Sequence, residues 1–379
     1  MPARPVRVLQ IISQTNRGGA ETWLVHALRY VDRRSVAMDF LVYDAKPGAY
    51  DVELRERGAK IFRYRKDRHP LRHFLNFRAL VRHCEPYDIV HTHIDYLGGL
   101  LALYARALGV PIRVAHSHSD ARRMVRGAHL ARRIYAGLMK LMVRRFSTAG
   151  LGVSSAAAAS LFGESWQSDR RWQVHTACVD LQRFHEYADR PAVCAELGIS
   201  PDSLVFGHVG RFVEEKNHRF IIDIAEVLAT KERCARFLLI GGGPDQRKVE
   251  KLIHERGLED RFVILQPRDD VPRLMLGVFD FFLFPSHSEG LGLALVEAQA
   301  AGLRCFASTA VPPEAVVVPA LVQQLPLSAG PEYWAEAILQ QIDTPSPVTQ
   351  KEALGRVEKV FDIRRNAAQL VEFYQTVTS

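Results

Sequence analysis

The chain has 379 residues, 47% hydrophobic and 24% charged, a balance that excludes disorder and fibrous repeats and, at this length, points to about two domains with a cleft between them. No stretch reaches the roughly 18 uncharged apolar residues that span a bilayer, and the first ten residues lack the pattern of a secretory leader. The net charge of +8 is uneven: residues 1–190 carry +14 (31 Lys and Arg against 17 Asp and Glu), whereas the remainder carries −6 (19 against 25). The basic half is therefore expected to meet an anionic partner. Cys84, Cys178, Cys194, Cys234 and Cys305 stand singly, which excludes a zinc or redox pair and suits a reducing cytoplasm.

In chain order, residues 6–13 read as a buried strand, and Gly18-Gly19-Ala20-Glu21 opens a helix to about Tyr30. Strands follow at 38–43, 60–63, 89–92 and 112–116, alternating with helices at 50–57, 72–83 and 98–108. That alternation predicts a doubly wound parallel sheet, the α/β class. A polar stretch with Pro191 and Pro201 separates a second alternating series, with strands at 204–209, 236–240, 262–266, 281–284 and 304–307 and helices starting near Asn217, Pro244, Val271, Gly290 and Pro331. The expected organisation is a first Rossmann-like domain over 1–183, a linker over 184–203, a second Rossmann-like domain over 204–363, and a last helix over 364–379 that returns to the first domain.

The strongest local signal runs from Pro285 to Gly302. An apolar strand ends at Pro285, a polar loop holds Glu289, and a helix opens at the Gly290-Leu291-Gly292 stretch with Glu297 about two turns in. The glycines admit a ligand close to the backbone, and the helix start offers N–H groups to a phosphate. Arg211 and Lys216, just past the strand ending at Val209, supply one forked and one point-like cation to a pyrophosphate that gains charge as its sugar leaves. The alternative is that both are surface cations paired with the adjacent Glu214 and Glu215. No Asp-x-Asp pair is present to hold a divalent ion on a nucleotide diphosphate, so no metal is expected. His91 with His93, and His116 with His118, lie two apart at strand tips, but no cysteine or helical histidine pair supports a zinc site.

The segment 285–302, with two glutamates flanking seven residues, resembles the signature of the retaining glycosyltransferases of family four, which have the GT-B fold. Gly18-Gly19 resembles that family's amino-terminal glycine loop, Gly210-Arg211 with Lys216-Asn217 its diphosphate-binding pair, and Gly241-Gly242-Gly243-Pro244 its second glycine turn. The resemblance implies two Rossmann-like domains facing each other across a cleft. It also implies a nucleotide-sugar donor held by Gly18, Gly19, Gly210, Arg211, Lys216, Glu289, Gly290, Leu291, Gly292 and Glu297, with Arg268 near the base. His118 would contact the donor sugar, Arg211 and Lys216 would clamp the leaving group, and Glu289 would act as a positioning and electrostatic group. UDP is the expected nucleotide, retention the expected stereochemistry, and Thr176-Ala177-Cys178-Val179-Asp180 departs from the family by lacking its glycine.

Between Arg122 and Arg145 basic and apolar residues interleave, a pattern of segments that lie on anionic membranes, with Arg122, Arg123, Arg126, Arg132 and Arg133 at its head. Arg63, Arg65, Lys66, Arg68 and Arg72 add a second cluster. Both also read as solvated faces, and nucleic acid is not expected, because exposed aromatics are not interleaved with the charge. The expected acceptor is a glycan or lipid-linked saccharide at the inner face of the cell membrane, in cell-surface polysaccharide synthesis. The competing readings are a nucleotide-sugar 2-epimerase of the same fold, a Rossmann oxidoreductase without its glycine fingerprint, and a non-catalytic nucleotide-binding partner.

Overall fold

Runs rich in Val, Ile, Leu and Phe become parallel strands covered on both faces, as such uninterrupted apolar runs require. The computed structural model describes residues 4–64, 69–82, 86–232 and 234–379. It divides into one unit of Met1–Cys178 with Ile363–Ser379 and a second of Val179–Asp362. The first unit holds strands β1 (Val6–Ile12), β2 (Val36–Val42), β3 (Ile61–Arg63), β4 (Ile89–Thr92), β5 (Ile112–Ser117), β6 (Ala149–Gly152) and β7 (Trp172–Val174). Their order is β3-β2-β1-β4-β5-β6-β7 and every pairing is parallel. Gln10 lies opposite His91 in this register, and His91 opposite Val114.

The second unit holds β8 (Leu204–Val209), β9 (Ala235–Ile240), β10 (Phe262–Leu265), β11 (Phe281–Phe284), β12 (Arg304–Ser308) and β13 (Val322–Leu325). They run in the order β10-β9-β8-β11-β12-β13, again all parallel. Trp334, Phe206, Phe237 and Phe306 are fully or almost fully buried in its core. Strand order reverses at β8 and β11, and at β1 and β4 in the first unit. The loops that follow those strands are where a doubly wound sheet binds ligands.

Two features depart from the sequence expectation. Residues 184–203 form no linker: a helix at Arg190–Leu197 buries Val193 and Cys194, and the Arg190 guanidinium donates to Asp280 and to the Ser203 carbonyl. The chain instead passes between units at 178/179 and 362/363, where Val179 and Asp362 form a parallel bridge within the second unit. Strands β6, β7 and β13 were not predicted; each is only three or four residues long. The last helix, Ile363–Thr378, belongs to the first unit, where the Trp23 indole donates to Asn366 Oδ1 at 2.6 Å and the Gln10 amide to Tyr374 Oη at 2.9 Å.

Candidate active site

In the second unit β8 and β11 deliver two loops whose side chains meet. Beyond β8, Gly210 leads through Arg211 to a short turn at Glu214–Lys216 and a left-handed Asn217 (φ 55°) that caps the helix His218–Lys231. The Asn217 amide donates to the Pro285 carbonyl at 3.1 Å, and the His287 N–H to the Glu215 carbonyl at 2.7 Å, stitching the loops together. Lys216 Nζ then lies 2.6 Å from Glu289 Oε1 and 5.2 Å from the centre of the Phe284 ring. Glu289 retains 8% exposure, so a paired ammonium is what makes its ionised form tolerable.

Arg211 is exposed, and its guanidinium has no hydrogen bond or ion pair among the described residues. The reading in which Arg211 and Lys216 are neutralised by Glu214 and Glu215 therefore fails: one cation is unpaired and the other is held by Glu289. Gly292 adopts φ +100°, a conformation only glycine takes freely, and turns the chain into the helix Leu293–Ala300. That helix starts three residues later than predicted, so Glu297 sits little more than one turn in. Its carboxyl has no hydrogen bond among the described residues, and burial pushes its pKa up to about 7. The Gly241 to Gly243 turn packs on the Arg211 loop: a Cβ on Gly241 would lie 1.9 Å from the Gly210 carbonyl oxygen, and one on Gly243 would lie 2.4 Å from that of Phe212.

In the first unit Gly18 caps the helix Gly19–Tyr30, and a Cβ on Gly19 would meet nothing within 4 Å, so the backbone there is open to a ligand. At the ends of β4 and β5, His91, His93, His116 and His118 gather around Trp23 together with His175. Burial holds every one of these imidazoles below its ordinary range, His118 down to about 3 and His175 to about 4, so all are neutral at physiological pH. Nitrogens of His91, His93 and His116 lie within 4.8 Å of one another. An ion there would draw on imidazoles alone, would have to displace a partner from His93, whose two nitrogens are both engaged, and would bury a double charge beside no carboxylate of the set. Within this set His93 is hydrogen-bonded at both nitrogens, whereas both nitrogens of His116 and Nε2 of His91 are buried without a partner among the described residues.

Comparison with known proteins identifies the family. The family description "Glycosyl transferases group 1" matches residues 189–354, and "Glycosyl transferase 4-like domain" matches residues 18–177. EpsF of Bacillus subtilis (strain 168), named as a glycosyltransferase, is 34% identical over 98% of this chain and 97% of its own length. The chain belongs to the family-four glycosyltransferases. CapH of Staphylococcus aureus, named as a capsular polysaccharide biosynthesis glycosyltransferase, is 25% identical over 98% of this chain and 99% of its own. The crystal structure of HepE from Anabaena with UDP-glucose aligns with a TM-score of 0.80 at 18% identity, over 98% of this chain and 99% of that one. WaaG, a lipopolysaccharide biosynthesis glycosyltransferase, aligns at 0.76 with 15% identity, over 97% and 99%. The fold of the glycosyltransferase is GT-B, as its sequence resemblance implied.

Among the residues singled out from sequence, the second unit of the glycosyltransferase brings together Gly210, Arg211, Lys216, Glu289, Gly290, Leu291, Gly292 and Glu297 on two adjoining loops and one helix. Arg268 is not free for a base. Its guanidinium is forked onto Asp270 at 2.7 Å and reaches Glu196 at 2.9 Å, and Arg273 binds the same two acids. Arg122 is likewise closed on Asp120 and Glu164. Sequence reasoning missed His208, which is fully buried beneath the Arg211 loop with Nδ1 on the Leu283 carbonyl, and His218, which stacks on Phe212 at 4.1 Å. It also missed Asp95, a non-glycine residue at φ 30° whose carboxylate accepts from Ser119 Oγ and from the backbone N–H of His118 and is raised by burial to about 6. A lone histidine in an apolar strand gives no outward sign of such a position, and nothing local marks Asp95.

Arg123, Arg126, Arg132 and Arg133 are exposed on the helices Arg122–Arg126 and Leu130–Phe146, with no ion pair among the described residues. Between them Leu130 (69% exposed), Ile134 (63%) and Leu141 (62%) also face water. Three residues of the second basic cluster, Arg65, Lys66 and Arg68, lie outside the described residues, while Arg63 is bound to Asp51 and the Asp44 carbonyl.

Proposed function

We propose that the glycosyltransferase moves a hexose or N-acetylhexosamine from a UDP-sugar to a glycan or lipid-linked saccharide in cell-surface polysaccharide synthesis, with retention at the anomeric carbon. The observation that carries the donor side is an unpaired Arg211 guanidinium beside the Lys216–Glu289 pair, at the carboxyl ends of the two strands where the sheet order reverses. Those two cations take the charge of the departing diphosphate without a metal ion, the start of the helix Leu293–Ala300 adds N–H groups, and Glu297 accepts from a ribose diol. The first unit supplies His118 to the sugar and, near Gly18 and Gly19, open backbone to the diphosphate or acceptor. UDP is favoured by HepE, which was crystallised with UDP-glucose, and the acceptor class by the names of EpsF, CapH and a relative in Escherichia coli that acts on a diphosphoundecaprenol-linked sugar. Retention rests on family resemblance.

No helix among the described residues is long and apolar enough to cross a membrane. The apolar and basic face of residues 123–145 supports a peripheral seat on an anionic inner leaflet of the cell membrane, where each free arginine contributes about 1 kcal/mol. A thermal-shift screen of UDP-, GDP- and ADP-sugars, followed by NMR of the product made with the best donor, tests the reaction. Stabilisation by none of them, donor conversion without an acceptor as an epimerase would give, or an inverted product refutes the corresponding part. In liposome flotation the double variant R132E/R133E is expected to lose binding to vesicles rich in phosphatidylglycerol; wild-type indifference to such vesicles removes the membrane from the proposal.

A further inference from the structure

The amide of Gln10 decides where protons sit on two histidines. Its nitrogen points at Tyr374 Oη (2.9 Å) and at Met38 Sδ (3.4 Å), so its oxygen is the atom 2.9 Å from His93 Nε2. An amide oxygen only accepts, and His93 therefore carries its hydrogen on Nε2. Burial keeps His93 neutral, which leaves its Nδ1 a bare lone pair. That lone pair lies 2.8 Å from His118 Nε2, which must in turn be the protonated nitrogen of His118. At the other end Tyr374 Oη, having accepted from Gln10, donates to His91 Nδ1 at 2.6 Å. Four hydrogen bonds thus run in one direction, His118 to His93 to Gln10 to Tyr374 to His91, and each polarises the next. What remains is His118 Nδ1, on a half-buried ring, with no hydrogen bond among the described residues.

We propose that Gln10, His93 and Tyr374 are positioning residues that hold His118 as its Nε2–H tautomer, so that Nδ1 is presented as a fixed acceptor to a hydroxyl of the sugar or of the acceptor substrate. Tyr374 comes from the C-terminal helix, so the last turns of the chain take part in setting a hydrogen-bond acceptor at the end of β5. Asp95 holds the main chain of the same histidine by accepting the backbone N–H of His118, itself in a backbone conformation that non-glycine residues rarely adopt. The role of Nδ1 toward a substrate rests on the proposed function; the tautomer does not.

The two parts are tested separately on the full chain. Long-range proton–nitrogen NMR with isotope-labelled histidine, with the His118 signal identified by its loss in H118N, reads the tautomer directly. The Nε2–H pattern is expected for both His93 and His118 in the wild type. In Q10L, which has no acceptor for His93, His118 is expected to move to the Nδ1–H or an averaged pattern. An Nδ1–H His118 in the wild type, or an unchanged pattern in Q10L, overturns the chain of hydrogen bonds. Y374F, one oxygen smaller, asks the same question if Q10L does not fold: it is expected to shift the pattern part-way, and no shift overturns the part played by Tyr374. In transfer assays Q10L is expected to lose about 10–100-fold in kcat, the range for residues that orient a functional histidine, with KM for the nucleotide sugar little changed. An altered tautomer with unaltered kcat overturns the positioning role. A wild type that transfers no sugar at all counts against the proposed function and leaves the NMR outcome standing.

Discussion

Replacing Glu297 by glutamine separates the cost of holding a carboxyl in the apolar helix Leu293–Ala300 from what that carboxyl does for a ligand. Burial raises its pKa from the ordinary 4.5 to about 7; at about 1.36 kcal/mol per pH unit this places about 3 kcal/mol against the ionised form in the free protein. Below pH 4.5 the carboxyl is protonated both folded and unfolded and costs nothing. Between 4.5 and 7 the unfolded chain ionises while the native one keeps its proton, so stability falls as pH rises, and above about 7 the full penalty is present. The residue keeps some exposure, and allowing half the penalty to be screened leaves about 1.5 kcal/mol, or about 3–6 °C in Tm for a unit of this size. By differential scanning fluorimetry, E297Q should melt with the wild type at pH 4.5 and about 3–6 °C above it at pH 8. If Glu297 accepts from a ribose diol, saturating UDP should stabilise the wild type at pH 8 and do so less in E297Q. A difference between the two proteins that does not depend on pH, or that favours the wild type at pH 8 without ligand, refutes the reasoning.

Two further outcomes follow from the same loops. K216A leaves Glu289 buried without its cation, which should cost about 1–3 kcal/mol in chemical denaturation and remove most transfer activity; an unchanged denaturation midpoint refutes the ion pair as a support of the site. G292A forces an L side chain to φ +100° beside the Phe284 ring, 3.1 Å from the new Cβ, and should cost about 1–3 kcal/mol while weakening UDP binding by calorimetry; full retention of both excludes a strained turn as the entry to the helix.

What the sequence disclosed divides by distance along the chain. The alternation of apolar runs with helical periods announces two parallel sheets, and the segment from Pro285 to Glu297 compresses strand, loop, glycine turn and helix into a stretch that can be read without its surroundings. Lys216 and Glu289 are legible as residues, but their mutual contact spans 73 positions and appears only when β8 and β11 are placed side by side. The same limit governs Arg268: its neighbour Asp270 is visible, whereas Glu196, 72 residues away, is not. Residues 184–203 look like a linker because they are polar and carry two prolines, yet Pro191 sits in the first turn of a helix, where its missing N–H costs nothing. His118 was recognisable at the tip of a strand; Gln10 and Tyr374, separated by 364 residues, were not.

The discontinuity of the first unit also bears on how the protein is made. Its first 178 residues leave the ribosome without the helix that receives the Trp23 indole and the Gln10 amide, and the 201 residues from Val179 to Ser379 must still be synthesised. At about 5–20 residues per second that interval lasts roughly 10–40 s, during which the second unit, whose residues are continuous, can complete its own sheet. Folding therefore need not follow the order of translation: the unit that begins first is finished last, and a chain released short of residue 363 would leave its amino-terminal sheet with an uncovered flank for chaperones or proteases to find.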